Sequence, residues 1–209
     1  MYKNIFCFLL SAFCFLHTSF AQGNKPHENP AKFVYQSSVS FAFGVGKIYD
    51  GIDSVANKGY SFEIQQLIAY QFNPYFYTGV GAGLDFWFYG ENDQTKVSVF
   101  VPIFANITAK FIDKKMAPFV YANIGYAFKW QVEKRSDESV FYGTKSGVYF
   151  QAGFGLNLKI SEKLSILFSP YYRLQQSANQ YRENDGDLVA IPTGNQLFHF
   201  VGVKIGLLY

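Results

Sequence analysis

The sequence contains only two cysteines, Cys7 and Cys14, and both lie within its first 21 residues. Without that segment the chain can form no disulfide and offers no thiol nucleophile or thiolate metal ligand. No cluster of His, Asp and Glu has the spacing of a metal site, and no glycine-rich motif leads into a helix as a phosphate loop would. We therefore predict no catalytic residue, no cofactor and no metal.

Long hydrophobic runs are also missing beyond the N-terminal segment, where no stretch approaches the roughly 18 apolar residues of a membrane-spanning helix. Charged residues are only 16% of the chain. Without Lys3 and the rest of the first 21 residues, 17 basic and 15 acidic residues remain, a net charge of +2. This balance gives no electrostatic basis for binding nucleic acid.

The N-terminal segment has the pattern of an export signal. Lys3 precedes the apolar run 5–16, and Ser19 and Ala21 place small residues at the −3 and −1 positions of a cleavage site. The apolar run is too short to cross about 30 Å of hydrocarbon as a helix. We predict that residues 1–21 are removed after Ala21, that residues 22–32 form a short polar tail and that residues 33–209 form one domain.

What the chain has in excess is aromatic residues, 20% of the total, arranged with a period of two. In the first segment, for example, Phe41, Phe43 and Val45 alternate with Ala42 and Gly44. Neighbouring side chains of a strand lie on opposite faces, so one face is apolar and the other small or polar. Eight segments share this alternation, within residues 33–46, 60–72, 76–88, 97–111, 119–130, 148–160, 164–174 and 201–209.

The connections distinguish a membrane barrel from a soluble one. Short links at residues 73–74, 112–117 and 161–163 alternate with long ones at 47–58, 131–146 and 177–195, and the link 90–96 is intermediate. Short turns at one end and long polar loops at the other are typical of outer-membrane barrels. Aromatic residues also gather at both ends of the apolar face, as membrane girdles do. We predict an all-β fold, a closed antiparallel eight-stranded transmembrane β-barrel.

The eight-segment plan, the terminal Tyr209 and the run 101–107 resemble the small outer-membrane β-barrel domain proteins of the Bacteroidota and, more distantly, OmpA/OmpX-type barrels. The resemblance implies an outer-membrane location, with membrane lipid and lipopolysaccharide as partners. One departure is Lys204, which occupies the position five residues before the final aromatic where the insertion signal has glycine. Pro102 and Pro170 fall inside strands, and each predicts a bulge because proline lacks a ladder donor.

Charged residues of the small-residue face are the first candidate site. If the strands pair symmetrically about residues 73–74, Glu63 lies directly opposite Asp85, with Cβ atoms about 5 Å apart. Lys129 and Arg173 fall at a similar height, whereas Lys110, Lys159 and Lys204 fall nearer the short-turn end. These residues predict either an acid pair or cation site, or an ion-pair network that fills a narrow lumen. We favour the network, because charges inside membrane proteins commonly pair with one another.

A second candidate is His199, which has the parity of the lipid face near the outer rim. Its placement resembles the catalytic wall of lipid A deacylase barrels, which carry His-x-Ser. Here the third residue is Val201, and a general base without a reachable nucleophile cannot form an acyl intermediate. We therefore predict that the chain is not an enzyme.

The third candidate is Gln66, which has lipid-facing parity midway along the second segment. Ser37 lies directly or diagonally beside it in the expected pairing. Polar groups at this depth have no water to bond. Either the two side chains bond each other, which we favour, or this wall meets a protein partner.

Three functions remain open from the sequence. The favoured one is a non-enzymatic barrel that supports envelope integrity or surface interaction through its extracellular loops. The alternatives are an outer-membrane lipid-modifying hydrolase and a narrow, porin-like pore or small-ligand carrier. The filled lumen and the missing His-x-Ser argue against both alternatives.

Overall fold

A computed structural model describes residues 32–49, 54–57, 59–91, 94–130, 141–182 and 196–209. The predicted export signal and residues 22–31 of the predicted tail lie outside these ranges. Within them, no helix is long and apolar enough to cross a membrane. The strands are β1 (Lys32–Val45), β2 (Lys47–Tyr49), β3 (Ser54–Ala56), β4 (Tyr60–Asn73), β5 (Phe76–Glu91), β6 (Gln94–Lys110), β7 (Met116–Lys129), β8 (Phe141–Lys145), β9 (Gly147–Lys159), β10 (Ser165–Arg182) and β11 (Gln196–Leu208).

Eight long strands form a closed antiparallel barrel in the order β1, β4, β5, β6, β7, β9, β10 and β11. Strand β11 pairs with both β10 and β1, and this double pairing closes the wall. The predicted fold is confirmed. Glu63 and Asp85 are direct register partners, as predicted. A tight turn joins β4 to β5, and the described pairing shifts register between Gln71 and Asn73, next to this turn.

The two faces of the strands have the predicted directions. Apolar side chains of one parity face outward, with Val80 66% exposed and Phe154 65% exposed. The opposite parity faces a packed interior, where Asp85 is 1% exposed. Since so many large apolar residues would be costly in water, this surface requires hydrocarbon around it. Aromatic side chains contact one another at both ends of this apolar surface, as in the pairs Tyr60–Phe88, Tyr70–Phe72 and Tyr35–Tyr209.

The wall is taller than the predicted segments at the long-loop end. Residues 90–96, interpreted above as a link, are mostly strand, because β5 and β6 stay paired to Glu91 and Gln94. Strand β10 continues to Arg182 and pairs there with β8, inside segments predicted as loops. The short strands β2 and β3 likewise pair within the predicted first loop. The alternation of apolar and polar residues therefore predicts only part of the length of these strands.

The two prolines change the ladder differently from the prediction. Pairing between β5 and β6 is interrupted from Ala82 to Asp85, beside Pro102, and resumes in the same register. Between β9 and β10 the same interruption occurs beside Pro170. No register shift accompanies either gap, so the predicted bulges are wrong. Each proline removes hydrogen bonds without inserting an extra residue into the strand.

Candidate functional site

Packed side chains fill the barrel interior between its two mouths, and an aromatic layer occupies the long-loop half. The Trp87 ring lies 4.4 Å from Phe198, 5.4 Å from Phe200 and 6.0 Å from Phe100, measured between ring centroids. All four side chains are buried. This aromatic plug was not predicted from the sequence, although the parity of Asp85 places Trp87 two residues further on the same inward face. Close-packed rings leave no aqueous path through this layer.

A buried ion cluster lies directly beneath the aromatic layer. Arg173 Nη1 lies 2.9 Å from Asp85 Oδ2 and 3.4 Å from Glu63 Oε2, and all three side chains are nearly inaccessible to solvent. Arg173 Nη2 donates a hydrogen bond of 2.8 Å to Ser61 Oγ. The guanidinium carbon sits 4.3 Å from the centre of the Phe200 ring. One cation therefore holds two facing carboxylates together and joins them to the aromatic plug.

Lys204 supplies the second buried cation of the interior. Its ammonium group donates to Gln65 Oε1 at 2.7 Å and also to Gln151 Oε1. Gln65 Nε2 donates to Glu63 Oε1 at 2.9 Å, and Tyr149 donates to the same oxygen at 3.0 Å. With Arg173 and Asp85, this gives two cations and two carboxylates linked through neutral amides. Pairing opposite charges lowers the cost of burying them, although Asp85 Oδ1 and Arg173 Nε have no hydrogen-bond partner among the described residues.

Neutral side chains continue the network toward the short-turn end. Asn123 Nδ2 donates to Gln151 Oε1 at 3.0 Å, and Asn106 Nδ2 donates to Asn123 Oδ1 at 2.6 Å. Thr108 then donates to Asn106 Oδ1 at 3.0 Å. A cavity of about 10 Å³ lies beside this chain, which is space for about one water molecule. Among the described residues, hydrogen bonds therefore connect the side chains of the interior from the ion cluster to Thr108.

Glycines of the inward face make room for large rings. A Cβ atom on Gly81 would lie 2.5 Å from the Phe104 ring, and one on Gly153 would lie 2.7 Å from the Tyr121 ring. In the sequence, the small-residue face predicted a narrow lumen. At Gly81 and Gly153 the structure shows that a glycine accommodates an aromatic side chain of a neighbouring strand, whereas at Gly79 and Gly155 a Cβ atom would meet the neighbouring backbone first.

The predicted ion-pair network is present in its main part. Glu63, Asp85 and Arg173 meet as predicted, whereas the place of Lys129 in the network stays a prediction. The backbone N–H of Lys129 donates to Ser146 Oγ at 3.0 Å. Lys204, expected nearer the short-turn end, reaches the cluster through two glutamines. The described residues include no group of three or more His, Cys, Asp or Glu that could hold a metal ion.

On the lipid-facing wall, Ser37 and Gln66 are direct register partners. Ser37 Oγ donates to Gln66 Oε1 at 2.9 Å, and the Tyr209 hydroxyl lies 3.3 Å from Ser37 Oγ. The favoured bond between the two side chains is therefore present. It satisfies one acceptor of the Gln66 amide without any partner protein.

His199 lies half-buried on the outer wall, as its parity predicted. Its Nδ1 is hydrogen-bonded to the Tyr172 hydroxyl. Its direct register partners are Val45 and Leu174, neither of which carries a nucleophile. The geometry thus gives a histidine paired with a phenol at the membrane surface.

Comparisons with known proteins agree on the fold. No protein-family model matches this chain, and no curated protein matches its sequence. Among solved structures, the outer membrane protein OprG from Pseudomonas aeruginosa matches with a TM-score of 0.60 and 10% identity, over 88% of this chain and 96% of that one. Neisserial surface protein A matches with a TM-score of 0.55 and 14% identity, over 85% and 97%. The chain therefore has the fold of the small outer-membrane barrels.

Proposed function

We propose that this chain is a non-enzymatic outer-membrane barrel that supports envelope integrity or surface interaction through its long-loop end. The observation that carries the proposal is the filled interior, in which the aromatic plug and the ion cluster leave no passage. A rigid, closed wall with no passage can act only through its surfaces. Its loops are the surface that a barrel scaffold presents to partners.

The height of the wall supports this proposal. Strands β6 and β10 have 17 and 18 residues, which at about 3.3 Å per residue and a tilt of about 40° span roughly 40 Å of height. The apolar band of such barrels is only about 25 Å tall. The excess lies at the long-loop end, where paired strands carry the loops clear of the lipid surface.

The proposal includes the finer assignments that the sequence suggests. The chain is assigned to the small barrel family of the Bacteroidota, and its export signal is removed after Ala21, so that the mature protein begins at Gln22. The short-turn end then faces the periplasm. Support comes from the signal pattern, from the resemblance of the run 101–107 and from the shared fold of outer-membrane proteins.

Deletion in the source bacterium tests the proposed function against its alternatives. We expect the deletion strain to admit more of a hydrophobic dye or to lose a surface interaction, because the barrel's loops act outside the membrane. Replacing residues 183–195 with a short Gly-Ser linker should reproduce the defect, whereas the intact chain should reverse it. Lipid A acylation, measured by mass spectrometry, should stay unchanged.

Two results would contradict this function. Altered lipid A acylation in the deletion strain would favour the hydrolase, with His199 as the first residue to substitute. Steady ion conductance of the purified barrel in planar bilayers would favour the pore or small-ligand carrier. Trp87→Ala, which removes the largest ring of the plug, is the matched control for the conductance measurement.

The wall around Gln66 provides a separate test of the predicted partner contact. The mature chain lacks cysteine, so Gln66→Cys places a single thiol at this depth. We expect labelling by lipid-soluble maleimide and no protein adduct with a bifunctional crosslinker in intact cells, because Ser37 Oγ already bonds Gln66 Oε1 within the wall, although Gln66 Nε2 has no hydrogen-bond partner among the described residues. Val80→Cys, on the neighbouring strand, controls for access. A protein adduct specific to position 66 would show that this wall meets a partner.

A further inference from the structure

Three lysines gather where the interior opens at the short-turn end. Lys32, Lys110 and Lys159 each occupy inward-facing positions at the last residues of β1, β6 and β9 on this side. They share the parity of the buried residues Val34, Thr108 and Asn157. The three lysines face one another across the mouth, since β1, β6 and β9 are two or three strands apart around the closed wall, and the charges of Lys32 and Lys159 both act on Lys110.

This gathering is only partly neutralised. Asp113 is the acid whose charge acts on Lys110 together with the two lysines. The ammonium group of Lys110 also lies 5.7 Å from the centre of the Tyr77 ring, which positions it over the mouth and does not neutralise it. Holding three like charges together costs free energy that an anion would recover. An ammonium group offers three donors, and phosphate oxygens accept them well.

The apolar residues next to the three lysines indicate how deep these lysines lie in the membrane. Each is followed in the chain by an exposed apolar residue: Phe33 is 64% exposed, Phe111 63% and Ile160 58%. These three outward side chains require hydrocarbon, while the lysines beside them require polar surroundings. The boundary between the two is the headgroup layer, where lipid phosphates are located.

We propose that the short-turn mouth is a phosphate-binding site, formed by Lys32, Lys110 and Lys159, that takes the headgroup of an anionic phospholipid. The acyl chains lie against the apolar wall beside Phe111 and Ile160, since β7 alone separates β6 from β9, whereas Phe33 lies across the barrel on β1. The phosphate lies at the rim of the mouth, within reach of the lysines. The site is independent of the loops proposed above to carry the function, since it lies at the opposite end of the barrel.

The test compares two double substitutions that remove equal charge from the same end of the molecule. The double variant Lys110→Gln, Lys159→Gln removes two lysines of the mouth. The control Lys114→Gln, Lys163→Gln removes two exposed lysines of the turns. Each purified barrel, in a nonionic maltoside detergent, is titrated with phosphatidylglycerol, with phosphatidylcholine and with inorganic phosphate, and the bound molecules are counted by native mass spectrometry. Heat-modifiable mobility on gels verifies that each variant is folded.

We expect phosphatidylglycerol to bind the wild-type barrel in preference to phosphatidylcholine. The mouth variant should bind it roughly 25-fold more weakly, at about fivefold for each lysine, and the turn variant within about twofold of the wild type. Equal losses in both variants would overturn the proposal, because they would reflect diffuse charge. Binding of inorganic phosphate without phosphatidylglycerol would retain a phosphate site and overturn its assignment to a lipid.

Discussion

Replacing Arg173 with Gln is expected to lower the free energy of unfolding of the barrel by about 3–5 kcal/mol. The substitution leaves Glu63 and Asp85 facing each other with no cation between them, in an interior where Glu63 is 0% exposed. Burying an uncompensated charge costs far more than the ion pair itself contributes. Urea unfolding in detergent micelles, followed by heat-modifiable mobility, measures the difference. Lys163→Gln, an exposed change of equal charge, should alter stability by less than about 0.5 kcal/mol.

A compensated variant separates the charge effect from lost packing. Combining Arg173→Gln with Glu63→Gln and Asp85→Asn leaves a neutral cluster that keeps its volume and its hydrogen-bonding groups. This triple variant should recover much of the lost stability, because neutral amides can bond one another where two carboxylates repel. Equal stability of the single and triple variants would show that the arginine acts by filling space. A single variant as stable as the wild type would contradict the buried ion cluster.

Local rules made part of this barrel predictable. Alternation placed Val80 outside and Asp85 inside because a strand has only two faces. The pairing of Glu63 with Asp85 followed from the tight turn at residues 73–74, which sets the register over the whole hairpin. These inferences need only neighbouring strands. They hold wherever a short connection removes the freedom to slip.

Contacts across the interior were harder to predict. Arg173 and Glu63 are 110 residues apart, and their meeting depends on how the strands stagger around the closed barrel. The stagger also brings Lys204 to the cluster through Gln65, although the position of Lys204 along β11 predicted that it would lie nearer the short-turn end. Trp87 was not predicted to lie in the interior, because most other residues of its inward face are small and a large ring is an exception to that pattern.

Polar strand ends were missed for a different reason. Within the lipid, one face must be apolar, and the period of two reveals the strand. The residues near Glu91 and Gln94 lack that alternation in the sequence, although β5 and β6 stay paired there. They pair because β5 and β6 continue the register of the strand residues within the lipid. The length of the wall outside the membrane is therefore a property of the hairpin and not of its local composition.

The second large effect is expected on the lipid-facing wall, where Ile124→Arg should cost about 2–4 kcal/mol of stability. Ile124 is 62% exposed and lies midway along the apolar face of β7, so an arginine there would enter the centre of the hydrocarbon. Trp130→Arg, just beyond the end of the same strand, is the matched control. Trp130 is 68% exposed, but its position near the interface lets a guanidinium reach water, and the expected cost is about 0–1 kcal/mol.

The contrast between these two positions distinguishes a membrane barrel from a soluble one. In lipid, the cost of an arginine depends on depth, because the distance to water changes along the strand. In water, both substitutions would replace an exposed apolar residue with a charged one, and each would be nearly neutral. Unfolding of the barrel in vesicles of defined thickness measures both costs. Equal, small costs at the two positions would show that the apolar belt does not lie in a bilayer, and they would overturn the membrane assignment while leaving the fold intact.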